Sequence, residues 1–158
     1  MNRTDFDSQM NNILSEAEQL IPEEILPDLP FLNEAPDVHG WHCFECELWN
    51  KGEAIRQLIL ESKQKPNTEH LKRICGICTN PSAKRGRQSF VMLLGKKGYV
   101  EFAPMIADLL SQDDVGGHAI DTLYKMGTPD YVSQIKPFTG HRRTWIRNVA
   151  KKYVNKHS

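Results

Sequence analysis

A compact side chain followed one helical turn later by an aliphatic one recurs along this chain at intervals near 31 residues. The pattern stands as Val115, Ala119, Leu123 and again as Ile146, Ala150, Val154. A degraded copy is Arg85, Ser89, Leu93, and the earliest is Ala54 with Leu58. The compact residues fall at 54, 89, 119 and 150, in steps of 35, 30 and 31. A second landmark agrees: Tyr99-Val100 recurs as Tyr131-Val132, a step of 32, and Leu71, Ile74, Cys75 and Cys78 align with Phe102, Met105, Ile106 and Leu109, a step of 31. A unit of this length cannot bury its apolar face alone, so neighbouring units must stack. The compact residue lets two helices approach, and the aliphatic one fills the gap beside it.

The local patterning agrees with a helical chain. Apolar residues recur at three- and four-residue spacing, and no stretch alternates with period two as a half-buried strand would. Breaks are expected near Asn50–Gly52, Lys65–Asn67, Asn80–Ser82, Lys96–Gly98, Asp113–Gly117, Thr128–Pro129 and Thr139–Gly140, leaving helices of roughly 9–14 residues. Asn67 or Thr68 can cap the helix after Pro66, and Thr128-Pro129-Asp130 has the chemistry of a helix start. Ahead of this body, residues 4–20 place Phe6, Met10, Ile13, Leu14, Ala17 and Leu20 on one stripe, with Thr4 and Asp7 as an N-cap pair. Pro22, Pro27, Pro30 and Pro36 then forbid a long helix. Ile25, Leu26, Leu29, Phe31 and Leu32 make the segment too apolar for a free linker. The expected organisation is an acidic helix and Pro-rich wrap over residues 1–37, packed on a helical repeat body over 38–158.

Residues 41–156 resemble the HEAT-repeat family in its short bacterial form. The carrying residues are Val115, Gly116, Ala119, Leu123 and Gly127 in one repeat and Ile146, Arg147, Ala150 and Val154 in the next. Asn80-Pro81-Ser82 is similar to the family's Asp-Pro-Ser turn, and Pro104 and Pro137 sit where the family often has proline. Gly116 stands where the family has arginine. The resemblance implies an all-α, right-handed α-α superhelix, a HEAT-like solenoid of about four helical pairs. It also implies that the second helix of each pair lines a concave face. Those helices carry Lys84, Arg85 and Arg87, then His118, then Arg142, Arg143, Arg147 and Lys151, with Trp145 beside them.

Charge distribution gives that face a meaning. Residues 1–50 hold 11 Asp/Glu and one basic residue, Arg3, whereas residues 51–158 hold 9 Asp/Glu and 19 Lys/Arg. A basic stripe with Trp145 fits an acidic surface on another protein, because Arg and Trp are favoured interface anchors. The function expected is non-enzymatic protein binding by an adaptor or inhibitor. Its most concrete version is an immunity protein that neutralises a genetically linked toxin, a role known among small HEAT-like proteins. Two other readings stay open for the same basic residues. They hold nucleic acid, in which case binding falls steeply with salt, or they are solvated or covered by the chain's own acidic N-terminal segment.

All four cysteines lie in two Cys-x-x-Cys pairs, Cys43/Cys46 and Cys75/Cys78. Such pairs suit a tetrahedral zinc site, with His39 and His42 as further ligands, and would make the chain a zinc-stabilised module. The alternative is that they are core thiols with no cofactor, because Cys75 and Cys78 align with the ordinary core positions Ile106 and Leu109. None of His39, His42, His70, His118, His141 and His157 falls in a known catalytic frame. No apolar run reaches the roughly 20 residues of a membrane span, and the first residues lack a signal-peptide pattern, so a cytoplasmic location is expected.

Overall fold

A computed structural model describes all residues, 1–158, and the chain is all-helical. The one β-type pairing is an isolated bridge between Phe31 and His39. The chain gathers into two compact units, Met1–Phe90 and Val91–Ser158.

The first unit opens with α1 (Arg3–Leu20), whose buried stripe is Phe6, Met10, Leu14 and Ala17. Burying side chains of this size contributes roughly 1.5–3 kcal/mol each for the larger ones. The cap lies two residues earlier than Thr4: the Asn2 side chain accepts from the Asp5 N–H at 2.8 Å. The stripe packs on α2 (Cys43–Ser62) and α3 (Thr68–Cys78). Polar ties frame it, with Arg73 Nε donating to Glu18 at 3.2 Å, Arg73 Nη2 to Ser15 at 3.0 Å, and Arg3 Nη1 to the Lys65 carbonyl at 2.8 Å.

The break expected at Asn50–Gly52 does not occur, and α2 runs through it for 20 residues. Gly52 serves as a contact point there, not a breaker. A Cβ at this position would lie 2.0 Å from Ser89 Oγ, 2.6 Å from Ser89 Cβ and 3.1 Å from the Ser89 backbone carbon. Ser89 sits on α4 (Gln88–Leu93), which begins in the first unit and ends in the second. The compact residue of the α2 seam is therefore Gly52, and Ala54 is exposed. Gly52→Ala is expected to lower stability by about 2 kcal/mol. The overpacking cost exceeds the gain of about 1 kcal/mol in helix propensity. Urea unfolding checks this, and adding Ser89→Gly should recover part of the loss.

After α2 the chain turns at Lys63, in the left-handed region (φ 57°), and Asn67 caps α3 by accepting from the His70 N–H at 2.8 Å. That cap and the break at Pro66 agree with the sequence. A 3-10 turn, Pro81–Arg87, then leads into α4.

In the second unit, a 3-10 turn over Lys97–Phe102 precedes α5 (Ala103–Asp108), followed by α6 (Gly116–Met126) and α7 (Val132–Ile135). A further 3-10 turn, Lys136–Gly140, leads to α8 (Thr144–His157). Its core is the α6–α8 packing, with Ala119, Leu123 and Ala150 fully buried at the positions the repeat pattern marks. Thr128-Pro129-Asp130 does not open a helix; α7 begins at Val132. Tyr153 of α8 explains the delay. Its hydroxyl donates to the Thr128 carbonyl and accepts from the Tyr131 N–H at 3.2 Å, so a long-range partner holds the segment in a turn. Helix lengths are uneven: α4 and α5 have six residues each and α7 has four, against 20 in α2. Pro104 and Pro137 stand second in α5 and in the turn after α7, and 3-10 turns take up the remainder. No helix is long and apolar enough to cross a membrane.

Candidate functional site

The basic residues expected to bind a partner divide between the two units and meet different fates. In the first unit, Lys84, Arg85 and Arg87 lie on the 3-10 turn and are engaged internally. Lys84 is 5% exposed and its Nζ bonds Asp28 at 2.7 Å, which holds the Asp28 carboxyl below its usual pKa. Arg85 is partly buried. Its backbone N–H and Nε donate to Glu45 at 3.0 and 3.3 Å, while Nη1 and Nη2 donate to the carbonyls of His39 (2.8 Å) and Gly40 (2.6 Å). Its guanidinium carbon lies 4.8 Å from the Trp41 ring centroid. Arg87 is fully buried and donates to the carbonyls of Lys84 (3.1 Å) and Cys78 (3.2 Å). The expectation that these three line an open face is corrected. Lys84 and Arg85 are met by acidic groups from the first 50 residues, the other possibility the charge pattern allowed, and Arg87 is buried against backbone carbonyls.

Lys84 also carries backbone strain, with φ 49° and ψ −136°. A non-glycine residue in such a region costs roughly 1–3 kcal/mol unless its surroundings hold it. Here both ends of the residue are held: Nζ by Asp28 and the carbonyl by Arg87. The Glu45 side chain completes the cluster. It is fully buried, accepts from the His42 N–H at 2.9 Å at the start of α2, and joins that start to the Arg85 turn. The Pro-rich segment closes over it. His39 Nδ1 bonds the Leu29 carbonyl (2.6 Å), His42 Nε2 bonds the Pro27 carbonyl (2.8 Å), and the Phe31 and His39 rings stack at 4.0 Å. The cluster is a clamp that fastens residues 27–40 to the first unit.

In the second unit the remaining candidates gather at the start of α8. Trp145 is 45% exposed, yet its ring packs closely on α6. A Cβ on Gly117 would lie 2.5 Å from Trp145 Cη2, so only glycine admits the ring at this distance. His118 meets the ring edge-on, with centroids 5.0 Å apart. Burial pushes the His118 pKa down to about 4, with Asp121 opposing and Lys125 reinforcing the shift, so the imidazole is neutral at neutral pH. Arg142 and Lys151 are exposed, and Arg143 and Arg147 are partly buried. Arg147 donates to the His141 carbonyl (2.9 Å) and Thr144 Oγ1 (3.2 Å), and His141 Nδ1 accepts from the Arg143 N–H (3.0 Å), which pins the loop before α8. Residues 131–158 hold seven Lys/Arg and no Asp/Glu. The result is a half-exposed aromatic ring packed on Gly117 and His118, in a stretch of chain rich in Lys and Arg, with Asp121 close to His118.

The cysteines separate by environment. Cys43 and Cys46 are exposed in the first turns of α2, Cys75 is partly buried, and Cys78 is fully buried. Cys78 is thus the core thiol that the alignment with Leu109 implies, and burial pushes its pKa well up. The first pair does not lie in the core. No three His, Cys, Asp or Glu side chains are gathered as a metal ion requires. Of the remaining histidines, His70 is buried against Phe6 and accepts from the Asn67 N–H at 3.1 Å.

Sequence reasoning passed over Glu45, Asp28, Trp41 and Gly117. Glu45 carried a faint signal as the third residue of a helix beginning after His42, where a carboxylate reaches back to the cap N–H. No family model, no curated protein and no solved structure matches the chain.

Proposed function

We propose that the protein is a non-enzymatic protein-binding module, an adaptor or inhibitor, that engages an acidic protein surface through the start of α8. Trp145 is the anchor. Arg142, Arg143, Arg147 and Lys151 supply the surrounding positive charge, and His118 supports the ring. The observation that carries the proposal is the exposed Trp145, packed on Gly117 and His118, within a stretch of chain that holds no Asp or Glu. An aromatic ring already packed along one side has less side-chain freedom to lose on contact, and Trp with Arg dominates interface hot spots. The HEAT-like resemblance of residues 41–156, with its stacked helical pairs, favours a scaffold over an enzyme. An immunity protein neutralising a toxin is the most concrete form of this reading.

The test uses the protein encoded beside this one, purified and titrated by calorimetry. Binding is expected, with at least about tenfold weakening in Trp145→Ala and in Arg142→Glu/Lys151→Glu. Equal affinity of the variants and the parent protein would refute the α8 surface. If the parent protein instead binds oligonucleotides with steep salt dependence, and the charge reversals abolish this, the basic surface serves nucleic acid.

A further inference from the structure

The two Cys-x-x-Cys pairs share a spacing but not an environment, and the difference assigns them different chemistry. Cys43 and Cys46 are both exposed, three residues apart at the beginning of α2. Cys75 and Cys78 have the same spacing at the end of α3, with Cys78 fully buried. In helical geometry, residues three apart have Cα atoms about 5 Å from each other, inside the usual disulfide range of roughly 4.4–6.8 Å. Their Cβ atoms are about 5–6 Å apart and must close to about 4 Å. The first turn of α2 can make that adjustment because it is tied only loosely: the Glu45 and Cys46 N–H groups share the His42 carbonyl at 3.0 and 3.4 Å. The final turn of α3 cannot do so without moving a core side chain.

We propose that Cys43 and Cys46 form a reversible dithiol–disulfide site that exchanges with low-molecular-weight disulfides of the glutathione type, and that its redox state acts on the clamp holding the Pro-rich segment. In the first step Cys43 Sγ, having given up its proton, attacks one sulfur of the disulfide. Its S–S bond breaks, and the departing thiolate takes up the proton. In the second step Cys46 Sγ, likewise deprotonated, attacks Cys43 Sγ, forms the intramolecular S–S bond and expels the second thiolate, which is protonated in turn. Two cysteine thiols are oxidised, and one disulfide is reduced to two thiols.

The consequence for the clamp follows from Glu45, which lies between the two cysteines in sequence. Its buried carboxylate bonds the His42 N–H at 2.9 Å and the Arg85 N–H at 3.0 Å. His42 in turn holds the Pro27 carbonyl at 2.8 Å. Tightening the turn from 43 to 46 therefore displaces the residue that joins α2 to the Arg85 turn, and the Pro27–Gly40 segment is held less firmly in the oxidised form.

The experiment incubates the native full-length protein with oxidised glutathione, followed by peptide mapping and amide hydrogen exchange. The expected product has lost two hydrogens within the peptide that contains Cys43 and Cys46, is reversed by reduced glutathione, and leaves Cys78 unmodified until the protein is denatured. Cys46→Ser should accumulate a persistent glutathione adduct on Cys43. The Arg85 amide should exchange several-fold faster in the oxidised protein. Separate stable adducts on Cys43 and Cys46 in the parent protein, a disulfide joining one pair to the other, or no reaction at either residue would each overturn the site. An Arg85 amide with the same exchange rate in both forms would overturn its link to the clamp.

Discussion

Replacing Arg85 with alanine is expected to lower the stability of the protein by about 3–5 kcal/mol, the cost of stripping one partner from a buried ion pair. Glu45 has no exposure to solvent and loses the Arg85 guanidinium, retaining only the backbone N–H donors of His42 and position 85. The carbonyls of His39 and Gly40 lose their donors in the same substitution, and Trp41 loses the cation above its ring. Urea unfolding followed by tryptophan emission measures the change, since Trp41 lies at the cluster. A paired replacement, Glu45→Gln with Arg85→Met, should cost less than Arg85→Ala alone, because the amide oxygen can still accept a backbone N–H and no unpaired charge stays behind. A loss below about 1 kcal/mol for Arg85→Ala would place the interaction among solvent-screened surface pairs and refute the clamp.

The second large effect is a dependence of stability on pH through His118. Its folded pKa of about 4 lies below the ordinary 6.5, chiefly because of burial. The unfolded chain therefore takes up a proton at higher pH than the folded chain does. The sign follows from linkage: stability from this residue is fully present above about pH 6.5, declines as pH falls from there towards 4, and is flat below. The depth of the fall is about 3 kcal/mol, at 1.36 kcal/mol per pKa unit. His70, whose pKa burial also lowers, adds a decline of the same sign. Denaturation at a series of pH values on the parent protein and His118→Gln separates the two, because the variant keeps only the His70 part. A parent and variant with superimposable pH profiles would show that His118 is not buried neutral against Trp145.

Local features of the fold were legible because they depend on near neighbours. The stripe Phe6, Met10, Leu14, Ala17 is buried as helical spacing demands, and Asn67 caps α3 as its position before Thr68 suggests. Ala119 and Ala150 are buried where the repeat marks compact residues. The same pattern misplaced the α2 seam onto Ala54, because glycine reads as a breaker in sequence. Only the proximity of Ser89 explains a glycine at 52. The candidate site was legible in part. Trp145 is exposed among basic residues, but Lys84, Arg85 and Arg87 look the same in sequence as Arg142 or Lys151. What separates them is burial: Lys84 and Arg87 are closed off from solvent and Arg85 is bound to Glu45, 40 residues away, whereas Arg142 and Lys151 are exposed.

Composition and periodicity alone determined that this chain is helical, where many of its helices begin and end, and which stripes turn inward. Those properties follow from backbone propensities and from side chains within a few residues of each other. The tertiary structure decided which charges are spent on the fold and which remain on the surface, which cysteines reach solvent, and which glycine must stay a glycine. Each of those outcomes depends on groups distant in sequence meeting at a few ångströms, and the energy of a charge, a thiol or a missing Cβ is set by what stands beside it.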